Sequence, residues 1–188
     1  MNIKYVMFCL FTSLLSSGYT YAYCPHDVAV TKPNSRYQIL TSGSEVLDKK
    51  TNLIWQRCSL GYTWNGTTCK YDEKIGETTY TWQEALKASQ ALGNGYRLPN
   101  IKELESLAER SCSPMINEKM FPDISIIRLG GHRWVQFWSS SARFTSKNSG
   151  RMAYSFGYIS LGVGSSSLAR FNFVRPVREN TNPLLNSP

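Results

Sequence analysis

Cys24, Cys58, Cys69 and Cys112, His26 and His132, the run Ser139-Ser140-Ser141 and the acids Asp72, Glu73 and Glu77 are the residues of this chain with catalytic potential. Their spacing decides what each can do. The chain has 2 histidines, so a zinc site would need carboxylates or thiolates as well, and the thiols are expected to be paired. The three serines lack the G-x-S-x-G setting of an elbow nucleophile and read as strand-end hydroxyls. Asp72, Glu73 and Glu77 lack the ligand order of a calcium loop and read as a solvated loop. The expectation is no catalytic residue, no metal and no cofactor: a protein that is not an enzyme.

Charge says more. The net charge is +8, and it is placed unevenly. From Ile124 to Arg178 there is no Asp or Glu, whereas Arg128, Arg133, Arg143, Lys147, Arg151, Arg170, Arg175 and Arg178 are all basic. A one-signed field over part of a domain attracts polyanions in a salt-dependent way. Arginine adds forked hydrogen bonds to carboxylate or sulfate, and aromatic rings add flat stacking surfaces. The ligand-binding candidates are therefore Arg128, Arg133, Trp134, Arg143, Lys147, Arg151, Tyr154, Tyr158 and Arg170, with an acidic glycan or surface polymer as partner. Nucleic acid would feel the same field, but it ranks lower for a chain bound for export.

Export is read from the N-terminus. Lys4 precedes an apolar run from Tyr5 to Leu15, and polar residues then lead to Ala22. Residues 1–22 are expected to be a secretory signal peptide, too short in its apolar run to span a bilayer. The mature chain then starts at about Tyr23 and acts in the periplasm, at the cell surface or as a secreted protein. Removal of Cys9 with the leader leaves an even set of four cysteines in an oxidising compartment. Gly61, Asn65 and Gly66 can turn the chain back between Cys58 and Cys69, so that pair is favoured, and Cys24 with Cys112 remains.

The elements that must position these residues form an α+β pattern. Short strands are expected between Tyr37 and Cys58, with Leu53 to Arg57 the clearest, followed by a polar loop over residues 59–80. Thr81-Trp82-Gln83-Glu84 is a capping box and predicts a helix to Leu92, stopped by Gly93. Asn100 and Glu103 repeat the device and predict a second helix to about Arg110. A helical turn is expected over 115–120. Beyond Trp134 strands are expected at Phe137 to Ser140, Met152 to Leu161 and Leu168 to Val177, with turns at 149–150 and in the Gly/Ser run 162–167. Residues 179–188 read as a flexible tail.

Taken together, Leu53-Ile54-Trp55-Gln56-Arg57-Cys58, Thr81-Trp82-Gln83-Glu84-Ala85, Tyr96-Arg97-Leu98-Pro99-Asn100 with Glu103-Leu104, Phe137-Trp138-Ser139-Ser140-Ser141 and Val174-Arg175-Pro176-Val177-Arg178 resemble the Lcl C-terminal domain family. The resemblance runs over about residues 43–178, after an N-terminal segment, 23–42, that a disulfide would tie down. It implies a C-type-lectin-like fold, two helices packed on twisted antiparallel strands, in exported bacterial proteins. It also implies binding to polyanionic glycans and surfaces, and a trimer. This chain has no Gly-X-Y stalk and carries Tyr96 where the family often has Trp, and without a stalk a monomer is equally compatible.

Within these motifs Trp55, Trp82, Trp138 and Leu104 read as core. Arg97 is expected to reach Glu103 or Glu105, and Arg175 and Arg178 to serve similarly on the last strand. The lectin-like fold also resembles that of formylglycine-generating enzymes, whose chemistry would need two free, adjacent thiols here, and a closed Cys58–Cys69 bridge opposes that. The leading expectation is an exported, non-enzymatic binding module for acidic glycans or surface polymers. The alternative is a structural or docking subunit of a cell-envelope assembly, such as a pilus or secretion apparatus, whose partner is an envelope protein.

Overall fold

The computed structural model describes residues 23–25, 27–130, 135–143, 151–159, 162–182 and 185. The expected leader over 1–22 lies outside them. In chain order the elements are β1 (Tyr37–Ile39), β2 (Glu45–Asp48), β3 (Leu53–Gln56), β4 (Tyr62–Trp64), β5 (Cys69–Tyr71), α1 (Trp82–Ala91), α2 (Ile101–Ser106), α3 (Asp123–Leu129), β6 (Phe137–Arg143), β7 (Met152–Gly157), β8 (Gly162–Ser167) and β9 (Val177–Glu179).

The first sheet is antiparallel, in the order β1-β2-β3-β9, so the last strand returns beside the first hairpins. Its β2–β3 turn is made by Asp48, whose carboxylate accepts bonds from the Lys50 amide at 3.1 Å and the Thr51 hydroxyl at 2.9 Å. Asn52 closes it in the left-handed region, at φ 56°. A second sheet, β6-β7-β8, is also antiparallel and carries a bulge between Trp138 and Ala142.

Both capping boxes form as expected. Thr81 and Glu84 close the start of α1, and Asn100 and Glu103 close the start of α2. Each satisfies amide donors that the first helical turn leaves free. The apolar side chains fall into two clusters. The larger joins Trp55, Leu104, Leu107, Phe121, Phe137, Phe156 and Val177, and the smaller joins Tyr80, Ala85, Leu98, Trp138, Ala153 and Val174. Trp55, Trp138 and Leu104 are fully buried, while Trp82 is partly buried against the smaller cluster.

Both expected disulfides are present, Cys24–Cys112 and Cys58–Cys69. The second staples a hairpin that the polar loop over 59–80 conceals, β4 paired with β5. Gly61 precedes it at φ 88°, where a Cβ would stand 2.2 Å from the Glu77 carbonyl oxygen, so any side chain would collide with backbone.

Several boundaries differ from expectation. The turn expected over 162–167 is strand β8: its Gly and Ser residues have little strand propensity, but all six pair with β7. Tertiary pairing outweighs local preference there. The helical turn expected at 115–120 is confined to 117–121, where the Met120 and Phe121 amides both donate to the Asn117 carbonyl, and a longer helix that was not expected, α3, follows Pro122. Helix α2 stops at Ser106 instead of running to Arg110, because the Glu109 amide turns to the Met115 carbonyl. Residues 168–176 make isolated bridges at Asn172 and Phe173 in place of a continuous strand. Glu179 completes β9 and Asn180 is buried against Asn52, where a flexible tail was expected.

Candidate functional site

The motif arginines do structural work, and this sorts the C-terminal charge. Arg97 makes a forked pair with Glu103, at 2.8 and 2.7 Å, and also reaches Glu179 at 2.7 Å. The Glu103 bonds raise its pKa against the effect of burial, with Glu179 adding to them. Arg178 donates to Glu45, at 3.0 and 2.9 Å, and Tyr96 donates to the same carboxylate oxygen. Burial, with Glu45 adding to it, pushes the Tyr96 phenol well above its ordinary value. Arg175 is fully buried on Asp123. Arg175 is thereby closed to a ligand, and Arg178, partly exposed, is already engaged by Glu45.

Arg57, which had no assigned role beyond its place in the first motif, is buried with no carboxylate partner among the described residues. Its guanidinium donates to the carbonyls of Gly43, Lys119 and Met120, and it stands 4.1 Å from the Trp64 ring centroid. Burial pulls its pKa below the ordinary arginine value. Three carbonyls and a ring face take the place of an ion-pair partner.

Tyr158 was a ligand candidate, and the structure removes it. It is fully buried, its hydroxyl donates to the Leu104 carbonyl at 2.9 Å, and it packs on Phe137 and Phe156. The reason is that β7 ends at Gly157 and carries the next residue straight into the main core. Arg133, Trp134 and Lys147 lie outside the described residues, and Arg128 lies in α3.

The remaining candidates meet at one end of the second sheet. Arg143 is the last residue of β6 and pairs with Met152, the first of β7, which pairs with Ser167, the last of β8. Arg151 immediately precedes Met152, and its carbonyl accepts from the Leu168 amide at 3.2 Å. The Arg170 amide donates to the Ser167 carbonyl at 2.9 Å, which folds the chain back at the same end. All three arginines are exposed, and none has a carboxylate partner among the described residues.

The pleat sets which side chains face solvent here. Ala153 and Ser166 point inward, so Arg143, Met152, Tyr154 and Ser165 share the outward face. The Arg143 guanidinium crosses that face to donate to the Ser165 hydroxyl at 2.6 Å, beside the half-buried Tyr154. Ser165 had no signal in the sequence, since its part depends only on sheet register.

A cleft of about 510 Å³ opens beside these arginines, between α1 and the ends of β7 and β8. Thr81, Trp82, Gln83, Arg151, Ser167, Leu168 and Ala169 line it. The Trp82 indole is held by donation from Nε1 to the Ser139 carbonyl at 2.8 Å, and its backbone amide donates to Leu168 at 3.2 Å. An aromatic ring, a cation, hydroxyls and an amide thus converge on one concavity, a combination suited to holding a polar, negatively charged ligand. Among the described residues no group of three or more His, Cys, Asp or Glu could hold a metal ion, and no helix is long and apolar enough to cross a membrane.

Comparison with known proteins gives the following. No curated protein matches the sequence. Among solved structures the chain is similar to EMS16, an antagonist of the collagen receptor integrin alpha2beta1, with 10% sequence identity and a TM-score of 0.35 over 63% of this chain and 97% of that one. The Lcl C-terminal domain model matches residues 44–178, which hold β2 to β8, all of β9 but its last residue, the three α-helices and the basic sheet end: the chain belongs to the Lcl C-terminal domain family.

Proposed function

We propose that this protein is an exported, non-enzymatic binding module that holds an acidic polymer, in the first place a sulfated or uronic-acid glycan, on the basic end of its second sheet. The observation that carries this reading is the gathering of Arg143, Arg151 and Arg170, without carboxylate partners among the described residues, beside the cleft that Trp82 lines. The guanidinium groups supply forked donors for carboxylate or sulfate, and Tyr154 and Trp82 supply aromatic surface. The family's lectin-like scaffold suits a role in presenting such a surface. The two disulfides suit an oxidising compartment, with residues 1–22 as its address and a mature chain from about Tyr23.

The test is retention of the disulfide-intact mature chain on a heparin-like column, run beside an uncharged polysaccharide column. Retention at low salt that falls steeply as salt rises supports the reading, because surface charges are screened over about 8 Å at physiological ionic strength. No retention at low salt removes it and leaves the docking-subunit reading.

A further inference from the structure

We propose that the outer edge of β8 is a self-association surface on which a second copy of this chain pairs, antiparallel, through its own β8. The two edges of the second sheet are treated differently by the rest of the fold. Beside β6, the Trp138 amide donates to the Phe173 carbonyl at 2.9 Å and the Phe173 amide to the Gln136 carbonyl at 2.9 Å, while the Ser140 amide donates to Pro99 at 2.7 Å. That edge is closed. Among the described residues, strand β8 pairs with β7 on one side and has no strand on the other. Apart from the Arg170 bond at Ser167, none of its backbone groups bonds to a described residue outside the β7 ladder.

An open edge is ordinarily blocked by Lys, by Pro, by a bulge or by being very short. The edge strands of the first sheet, β1 and β9, have three residues each. β8 has six, Gly-Val-Gly-Ser-Ser-Ser, with no charge, no proline and no bulge. Only Val163 has a side chain larger than serine, and it is 45% exposed. Nothing on the strand obstructs another backbone, and nothing on it repels one.

Charge selects the occupant's direction. The basic residues gather at the Ser167 end, and the Gly162 end has none among its described neighbours in sequence. A parallel copy would bring six arginines together. An antiparallel copy sets the two basic ends apart by the length of the strand, roughly 20 Å, more than two screening lengths of about 8 Å. An antiparallel edge is also self-complementary about a two-fold axis, since each free N–H meets a free C=O, and the pairing closes as a dimer. Both copies then present their basic ends on the same face of one six-stranded sheet. A single strand edge is a small contact, so the dimer is expected to dissociate on the order of micromolar concentrations.

Sedimentation velocity of the disulfide-intact mature chain, without any polymer, tests this over a concentration series. The wild type should pass from monomer to dimer, whereas Val163→Lys and, separately, Val163→Arg should stay monomeric with unchanged circular dichroism. Val163 lies outside the cleft beside Trp82 and both variants add positive charge, so their retention on a heparin-like column should hold or increase, which separates loss of pairing from loss of polymer binding. A wild type that is monomeric throughout, a trimer, or a dimer that survives both variants overturns the proposal. A monomeric wild type that takes up an acidic extended peptide on β8 overturns it in favour of a strand from another protein.

Discussion

Arg175 and Asp123 form an ion pair in which neither side chain has any exposure, with Nη2 2.7 Å from Oδ1 and 2.9 Å from Oδ2. The same guanidinium donates to the carbonyls of Gln56 and Arg57 and lies over the rings of Phe121 and Phe137. Asp123 in turn accepts from the Ser59 amide at 2.8 Å and from the Ser59 hydroxyl. One pair thus ties together the approach to β9, the end of β3 and the start of α3.

Breaking this pair from one side should be costly. Arg175→Met leaves a buried carboxylate unpaired, and Asp123→Leu leaves a buried guanidinium unpaired, so each is expected to lose about 3–5 kcal/mol. The double variant should lose much less than the sum. Urea unfolding of the four proteins measures the coupling, and additive losses would contradict it.

Glu109 predicts acid sensitivity at the N-terminal segment. Its carboxylate accepts from Thr31 at 3.0 Å, from the Lys32 amide at 2.7 Å and from the Ser111 hydroxyl at 2.8 Å. Burial alone would raise its pKa, but these bonds together hold it below the ordinary value of 4.5. The folded value lies under the unfolded one, so the stabilisation is complete above pH 4.5 and lost as pH falls below it. Hydrogen exchange at residues 30–33 should rise over that acid range in the wild type. In Glu109→Gln it should be raised already at neutral pH and should change little on acidification.

The disulfides should differ in worth. In the chain-entropy model the Cys24–Cys112 loop contributes between about 4 and 5 kcal/mol and the Cys58–Cys69 loop about 3 kcal/mol. Replacing each pair by serine should therefore destabilise in that order, by denaturant midpoint. Peptide mapping without reductant should recover Cys58 linked to Cys69, with no free thiol, and a mixed pattern would contradict the structure.

What could be read from the sequence was whatever has a local physical signature. The capping boxes at Thr81 and Asn100 need only four residues, and the Arg97–Glu103 pair lies within one loop and the next helical turn. The core tryptophans Trp55 and Trp138 announce themselves by size. What could not be read depends on distant partners. Strand β8 exists because β7 offers it hydrogen bonds, and Tyr158 is in the core because of where β7 ends. The basic end was legible as charge, and the family motif set Arg175 and Arg178 apart as ion-pair residues, but which carboxylates they take was not legible. These are Asp123 and Glu45, far back in the chain.

Tyr158→Phe tests its reassignment. Loss of the buried bond to Leu104 should cost on the order of 1 kcal/mol and leave column retention unchanged. A fall in retention without a fall in stability would return Tyr158 to the binding surface.

Charge reversal at the basic end decides whether this surface holds acidic polymers. Arg143→Glu, Arg151→Glu and Arg170→Glu, singly and together, should each shift thermal stability by no more than about 0.5 kcal/mol, since all three are exposed. Together they should abolish low-salt retention on a heparin-like column. Retention by the triple variant equal to that of the wild type would contradict the assignment of this surface to acidic polymers.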